Sequence, residues 1–102
     1  MAIRHSPRLS TQTVKVLGAL MARLGAGMAG SDIATVTKLP PGTLYPILNR
    51  LAQAGWLKSK WEFEDPRKLG RPRRRVYQMT AQGIEKTRLA LEDGKSTLAE
   101  FA

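Results

Sequence analysis

A change of apolar period at Gly55 constrains this chain more than any other feature. Before it, Leu44, Ile47, Leu48 and Leu51 recur at spacings of three and four, which turns one side of a helix into a core face. After it, WLKSKWEF alternates: Leu57, Ser59 and Trp61 share one face, and Trp56, Lys58, Lys60 and Glu62 the other. That is the pattern of a strand. A helix must therefore hand over to a strand at the glycine. Pro40-Pro41-Gly42 marks where the helix begins, with Pro41 suited to its first turn. Pro46 is read as lying in or near that turn, where intrahelical N–H bonds are missing in any case. The side away from the core carries Gly42, Tyr45, Pro46, Asn49 and Gln53, with Thr43 and Arg50 on a flank.

Two helices are expected upstream. Ser10-Thr11 offers an N-cap for a segment with Val14, Leu17, Leu20, Met21 and Leu24 at helical spacing, ended by the glycines between 25 and 30. Ser31 is read as capping a short helix from Asp32 to Lys38, with Asp32 well placed for the helix dipole. Downstream, a charged stretch leads to RRVYQM, a second strand with Tyr77 and Met79 on one face. The two strands form a β-hairpin with a long loop. Thr80 offers the N-cap of a last helix, with Ile84, Leu91 and Leu98 at intervals of seven. The organisation expected is a flexible basic arm over residues 1–9, a folded unit over 10–79 and a C-terminal helix over 80–102.

Composition narrows the chemistry. The 102 residues hold 17 Lys+Arg against 8 Asp+Glu, a formal charge of +9, with 42% hydrophobic and 25% charged residues, as in an ordinary globular domain. No cysteine is present and His5 is the only histidine, which leaves no disulfide, zinc finger, iron–sulfur cluster or cysteine nucleophile. Neither metal nor cofactor is expected. Arg23, Lys38 and Arg50 interrupt the apolar segments, and MAIRHSPRLS lacks the apolar core of a secretory signal, so the reading is a cytoplasmic protein with no membrane partner. The charge is uneven: +5 over residues 1–55, +5 over 56–75 alone and −1 over 76–102. Arg67, Lys68, Arg71, Arg73, Arg74 and Arg75 crowd the loop between the two strands.

Three helices, a hairpin with a basic tip and a final helix make a mainly α fold with a small β-hairpin, the winged helix-turn-helix. In that architecture the third helix fits the DNA major groove, about 12 Å wide, while a basic wing reaches phosphates or the minor groove. Arginine suits the wing because its planar fork binds phosphate through two parallel hydrogen bonds.

LPPGTLYPILNRLAQAGWLKSKWE followed by GRPRRRVYQMTAQG resembles the signature of PadR-like transcriptional regulators: a GTLYP-type recognition helix, a GWL strand and an RRxYxLTxxG second strand. The likeness spans roughly residues 14–84, with several motifs in order. It implies a winged-helix protein that binds double-stranded DNA, a homodimer and a repressor acting at the bacterial nucleoid. Carried over by position, it puts Thr43 and Tyr45 on phosphates or base edges, with Gly42 allowing close backbone approach. Asn49 lies one turn on, where Asn can pair with adenine, and Arg50 is suited to a phosphate or a guanine. In the wing Arg71, Arg73 and Arg74 are the first candidates and Arg67 and Lys68 the next, while Arg75 is placed to stack on Tyr77 or Trp61. Tyr45 has a structural alternative, holding its helix against the hairpin.

A small-molecule effector is compatible with such a family but not evident in these residues. Trp56 and Trp61 both fall on the first strand and are read as core or hairpin packing, not as a ligand platform. The near-neutral tail suits self-association, so Leu17, Leu20, Ile84, Leu91 and Leu98 are the candidates for a dimer interface, although Thr87, Gly94 and Phe101 leave the seam imperfect. Asp32, Glu62, Glu64 and Asp65 form no acid/base pair and no glycine-rich phosphate loop is present, which argues against an enzyme. The alternatives to DNA binding are a winged-helix protein-interaction module and a basic RNA-associated protein.

Overall fold

The computed structural model of the protein describes residues 9–93, with side chains through Leu91. Residues 1–8 of the basic arm, including His5, and Leu98 lie outside the described residues. Helix α1, Thr11–Met21, starts where Ser10 Oγ accepts a hydrogen bond from the Thr13 N–H at 3.2 Å, the expected N-cap. It ends a turn earlier than the apolar spacing implied. Leu24 lies beyond it and is exposed, while Val16, absent from the expected stripe, is fully buried.

Met28–Ala29 forms a two-residue strand, β1, that alternation could not reveal. Gly27 leads into it with φ 73°, and a Cβ there would lie 2.6 Å from the Tyr77 carbonyl oxygen, so this position requires glycine. Helix α2, Gly30–Thr37, follows directly and has Ala29, not Ser31, at its N-cap. The strand already supplies the extended backbone that an N-cap needs, so Ser31 falls inside the first turn and its hydroxyl is left for other partners.

Helix α3, Pro41–Gln53, has Pro41 in its first turn and buries Leu44, Ile47, Leu48 and Leu51, as the spacing predicts. Pro46 is its sixth residue, one turn later than expected. Its missing N–H leaves the Gly42 carbonyl without an intrahelical partner on an exposed face. At the far end the Gly55 N–H donates to the Ala52 oxygen and the Trp56 N–H to the Leu51 oxygen, with Gly55 at φ 84°: a Schellman closure that turns the helix into the next strand.

Strand β2, Leu57–Trp61, pairs antiparallel with β3, Arg75–Met79, in the register Leu57 with Met79, Ser59 with Tyr77 and Trp61 with Arg75. Strand β1 pairs with the other edge of β3, giving the order β1-β3-β2. The sheet thus has three strands where the sequence showed two. The loop between β2 and β3 holds one helical turn, α4, Pro66–Leu69, where a plain basic loop was expected. Asp65 Oδ1 accepts from the Arg67 N–H at 2.9 Å and Gly70 closes the turn at φ 73°.

Helix α5, Ala81–Asp93, begins where Thr80 Oγ1 accepts from the Gly83 N–H and itself donates to the Gly55 carbonyl at 2.6 Å. Gly83 passes so close to the Trp56 backbone that any Cβ would collide with it. The core lies between α1, α2, α3 and the sheet, and includes Val16, Leu17, Leu20, Ile33, Leu48, Trp56 and Tyr77.

Candidate nucleic-acid interface

The core stripe of α3 fixes which residues it presents outward. Gly42, Tyr45, Pro46, Asn49 and Arg50 are exposed, and Thr43 is half-buried on the flank. Tyr45 is 38% exposed, yet a Cβ on Gly30 would stand 2.5 Å from its hydroxyl, so the ring rests on the start of α2 and not on the hairpin alone. A surface groove runs from there to the wing, lined by Gly30, Ser31, Tyr45, Trp61, Arg73, Arg74, Arg75 and Tyr77. Burial pushes the Tyr77 hydroxyl above the usual phenol range, keeping it neutral at the head of that groove.

The wing does not treat its six crowded cations alike. Glu62, directly after β2, accepts from Arg71 Nη1 at 2.7 Å and Nη2 at 2.9 Å, a two-pronged pair, and from the Arg74 backbone N–H at 2.8 Å. The Arg74 guanidinium lies 3.7 Å from both Glu62 Oε2 and Asp32 Oδ1 on α2, and Arg74 Nη1 donates to Ser31 Oγ at 3.4 Å. With its side chain 18% exposed, Glu62 has its carboxyl held at about 2, first by the Arg71 hydrogen bonds and then by the Arg74 N–H. The same contact raises the Arg71 guanidinium further.

Arg67 and Lys68 point the other way, their side chains 93% and 74% exposed with only loose contacts to Asp65 and Glu64. Arg73 is exposed and donates through Nε to the Glu64 carbonyl. Arg75 stacks 5.3 Å from the centre of the Trp61 ring and donates to Ser59 Oγ. Of the wing candidates, then, Arg71 and Arg74 are held by acids, while Arg67, Lys68 and Arg73 face solvent. Spacing and charge do not single out Glu62, Asp32 and Ser31 as partners of those arginines, nor Phe63, 96% exposed beside them. An acid placed opposite Arg74 in the hairpin register is the available signal.

The expected dimer residues divide as well. Leu17 and Leu20 are each 1% exposed within the single chain, so their side chains belong to its own core and not to a free surface. Ile84 packs against the same core and Leu91 is half-buried, whereas Leu89, not among the candidates, is 52% exposed. Trp56 is core as expected; Trp61, 60% exposed, packs only through Arg75 and the groove. Among the described residues no three acidic or histidine side chains gather as a metal site, and no helix is long and apolar enough to cross a membrane.

A three-helix core carrying an antiparallel wing, with polar and cationic groups on one groove, defines a winged-helix transcription regulator. The chain belongs to the PadR-like family of transcriptional regulators, whose profile matches residues 29–89. The family binds DNA and is not enzymatic. Solved structures agree on the fold. A PadR family transcription regulator from hypervirulent Clostridium difficile superposes with TM-score 0.70 at 20% identity, over 90% of this chain and 98% of that one. A PadR-like transcription factor from Bacteroides fragilis gives 0.64 at 22%, over 90% of both. A MepR mutant from S. aureus, bound to an oligodeoxyribonucleotide, gives 0.65 at 21%, over 90% of this chain and 64% of that one. No curated protein matches the sequence.

Proposed function

We propose that the protein is a sequence-specific repressor, acting as a homodimer in the cytoplasm at the nucleoid, with α3 in the major groove and the wing on the backbone or in the minor groove. The observation that carries this is the shared groove, which sets Tyr45 from the start of α3 beside Arg73, Arg74 and Arg75. The groove thereby gathers phosphate-binding groups from α3 and from the wing on one surface. Asn49 and Arg50, exposed a turn further along α3, are the base readers; Thr43, Tyr45 and the Gly42 backbone take phosphates; Arg67, Lys68 and Arg73 are the leading wing contacts, with Arg71 and Arg74 behind them. The MepR relative, solved with an oligodeoxyribonucleotide, lends support as a neighbour in fold.

The second copy is assigned to α5, through Leu89, Leu91 and the C-terminal residues to Leu98, on the one part of the chain whose charge does not repel its copy. Two α3 helices about 34 Å apart then meet a pseudo-palindromic site. A mobility-shift assay on DNA upstream of the protein's own gene tests the reading: a complex that survives excess random duplex is expected. A complex that random duplex or RNA removes equally moves the reading to a basic RNA-associated protein, and no complex at all moves it to a protein-interaction module.

A further inference from the structure

In a segment built to meet a polyanion, a carboxylate is a liability unless it has another task. Residues 56–75 carry eight cations and only three acids, and one of those acids, Glu62, is the least exposed charged side chain of the wing's ion pairs. Its two oxygens accept from the Arg71 fork and from the Arg74 backbone, so it ties the beginning of the excursion from the sheet to its end nine and twelve residues later. No residue of α4, which occupies that excursion, is buried, so no apolar core holds it in place. Arg74 carries the tie onward to Asp32 and Ser31 at the start of α2. Arg74 Nε is itself buried without a partner, although the side chain as a whole is 37% exposed, so the inner part of this guanidinium lies against the elements it joins.

We propose that Glu62 is the positioning residue of the wing: through Arg71 and Arg74 it braces the wing against α2 and so sets where Arg67, Lys68 and Arg73 meet DNA. This rests on the DNA-binding reading and adds to it a sign that charge counting reverses. Removing an acid from a DNA-binding face strengthens binding if only net charge matters. Removing a brace weakens it, because the phosphate-binding side chains must then be ordered on binding.

The test uses the full chain and a fluorescein-labelled duplex from upstream of its own gene, read by anisotropy at fixed salt. Glu62→Gln is expected to bind about tenfold more weakly, with its helical circular dichroism retained and trypsin cleavage within the wing accelerated. Glu62→Asp, which keeps the charge on a shorter stem, recovers part of the affinity. Asp32→Asn, at the far end of the brace on an exposed turn, is expected to bind about threefold more weakly, and it carries the test if Glu62→Gln does not fold. Either acid variant binding as tightly as the wild type or more tightly overturns the proposal. A wild-type protein that binds no duplex overturns the DNA-binding reading itself, and the brace with it.

Discussion

Helix α3 and the wing are held in place by opposite means. Beneath α3, Leu44, Leu48 and Leu51 are completely buried, so the outward positions of Asn49 and Arg50 are set by packing. In the loop of the wing Phe63 is 96% exposed, beside Trp61 at 60%, and the chain there is held by ion pairs and turn hydrogen bonds. The position of α3 therefore rests on packing, which salt and pH affect little, and that of the wing on ion pairs, which both affect. A second lesson is that the cations of a basic segment are not equivalent: Arg71 and Arg74 are held by acids, while Arg67, Lys68 and Arg73 face solvent.

The sharpest way to break this contrast is to remove an anchor from each side. Leu48→Ala should cost about 2–5 kcal/mol in urea denaturation, because a fully buried side chain leaves a cavity under α3. Arg73→Ala should stay within roughly 0.5 kcal/mol, since an exposed side chain contributes little to folding. Equal losses would mean that α3 is not held as its burial implies. On DNA the order reverses. Replacing Arg67, Lys68 and Arg73 together by Ala should reduce the salt dependence of binding by roughly one ion for each phosphate no longer neutralised, and weaken binding to every sequence. Asn49→Ala should keep the salt slope and lose about 1–3 kcal/mol of preference at one base pair. A triple variant with an unchanged slope would take those side chains off the DNA.

What the sequence disclosed follows the same division. The α3 stripe was legible because Leu44, Ile47, Leu48 and Leu51 encode burial in their spacing, and the end of the helix because Gly55 follows the last turn. Strand β1 was not, since two residues have no period and Met28 becomes a strand only by pairing with Tyr77. Leu17 and Leu20 show why periodicity is incomplete: spacing tells that a side chain is buried, not whether its own core or a second copy buries it. Turn α4 had its signals in Asp65-Pro66 and Gly70, masked by the surrounding charge. Arg71 and Arg73 are chemically identical on paper; only the nine-residue return to Glu62 separates them.

A smaller effect should sharpen the packed side of the comparison. Thr87 on α5 is 0% exposed, and its hydroxyl has no hydrogen-bond partner. Thr87→Val keeps the shape and removes the unsatisfied group, so stability should rise by about 1 kcal/mol with the DNA salt slope unchanged. A loss of stability instead would show that the hydroxyl is paired in solution.

The last and smallest effect belongs to the wing. The Glu62 carboxyl is held at about 2 in the folded chain, against an ordinary 4.5. A folded value below the unfolded one means that the unfolded chain binds the proton first as pH falls, so the ionised carboxylate favours folding above about 4.5 and that contribution disappears between 4.5 and 2. Other carboxyls titrate over the same range, which makes the difference between variants the useful quantity. Glu62→Gln should melt below the wild type at pH 7, and the gap between them should close as pH is lowered through that window. Scanning calorimetry on both proteins measures it. A gap that stays constant with pH would mean that Glu62 holds the wing through shape and neutral hydrogen bonds, and the contrast between a packed helix and a charge-held wing would lose its central residue.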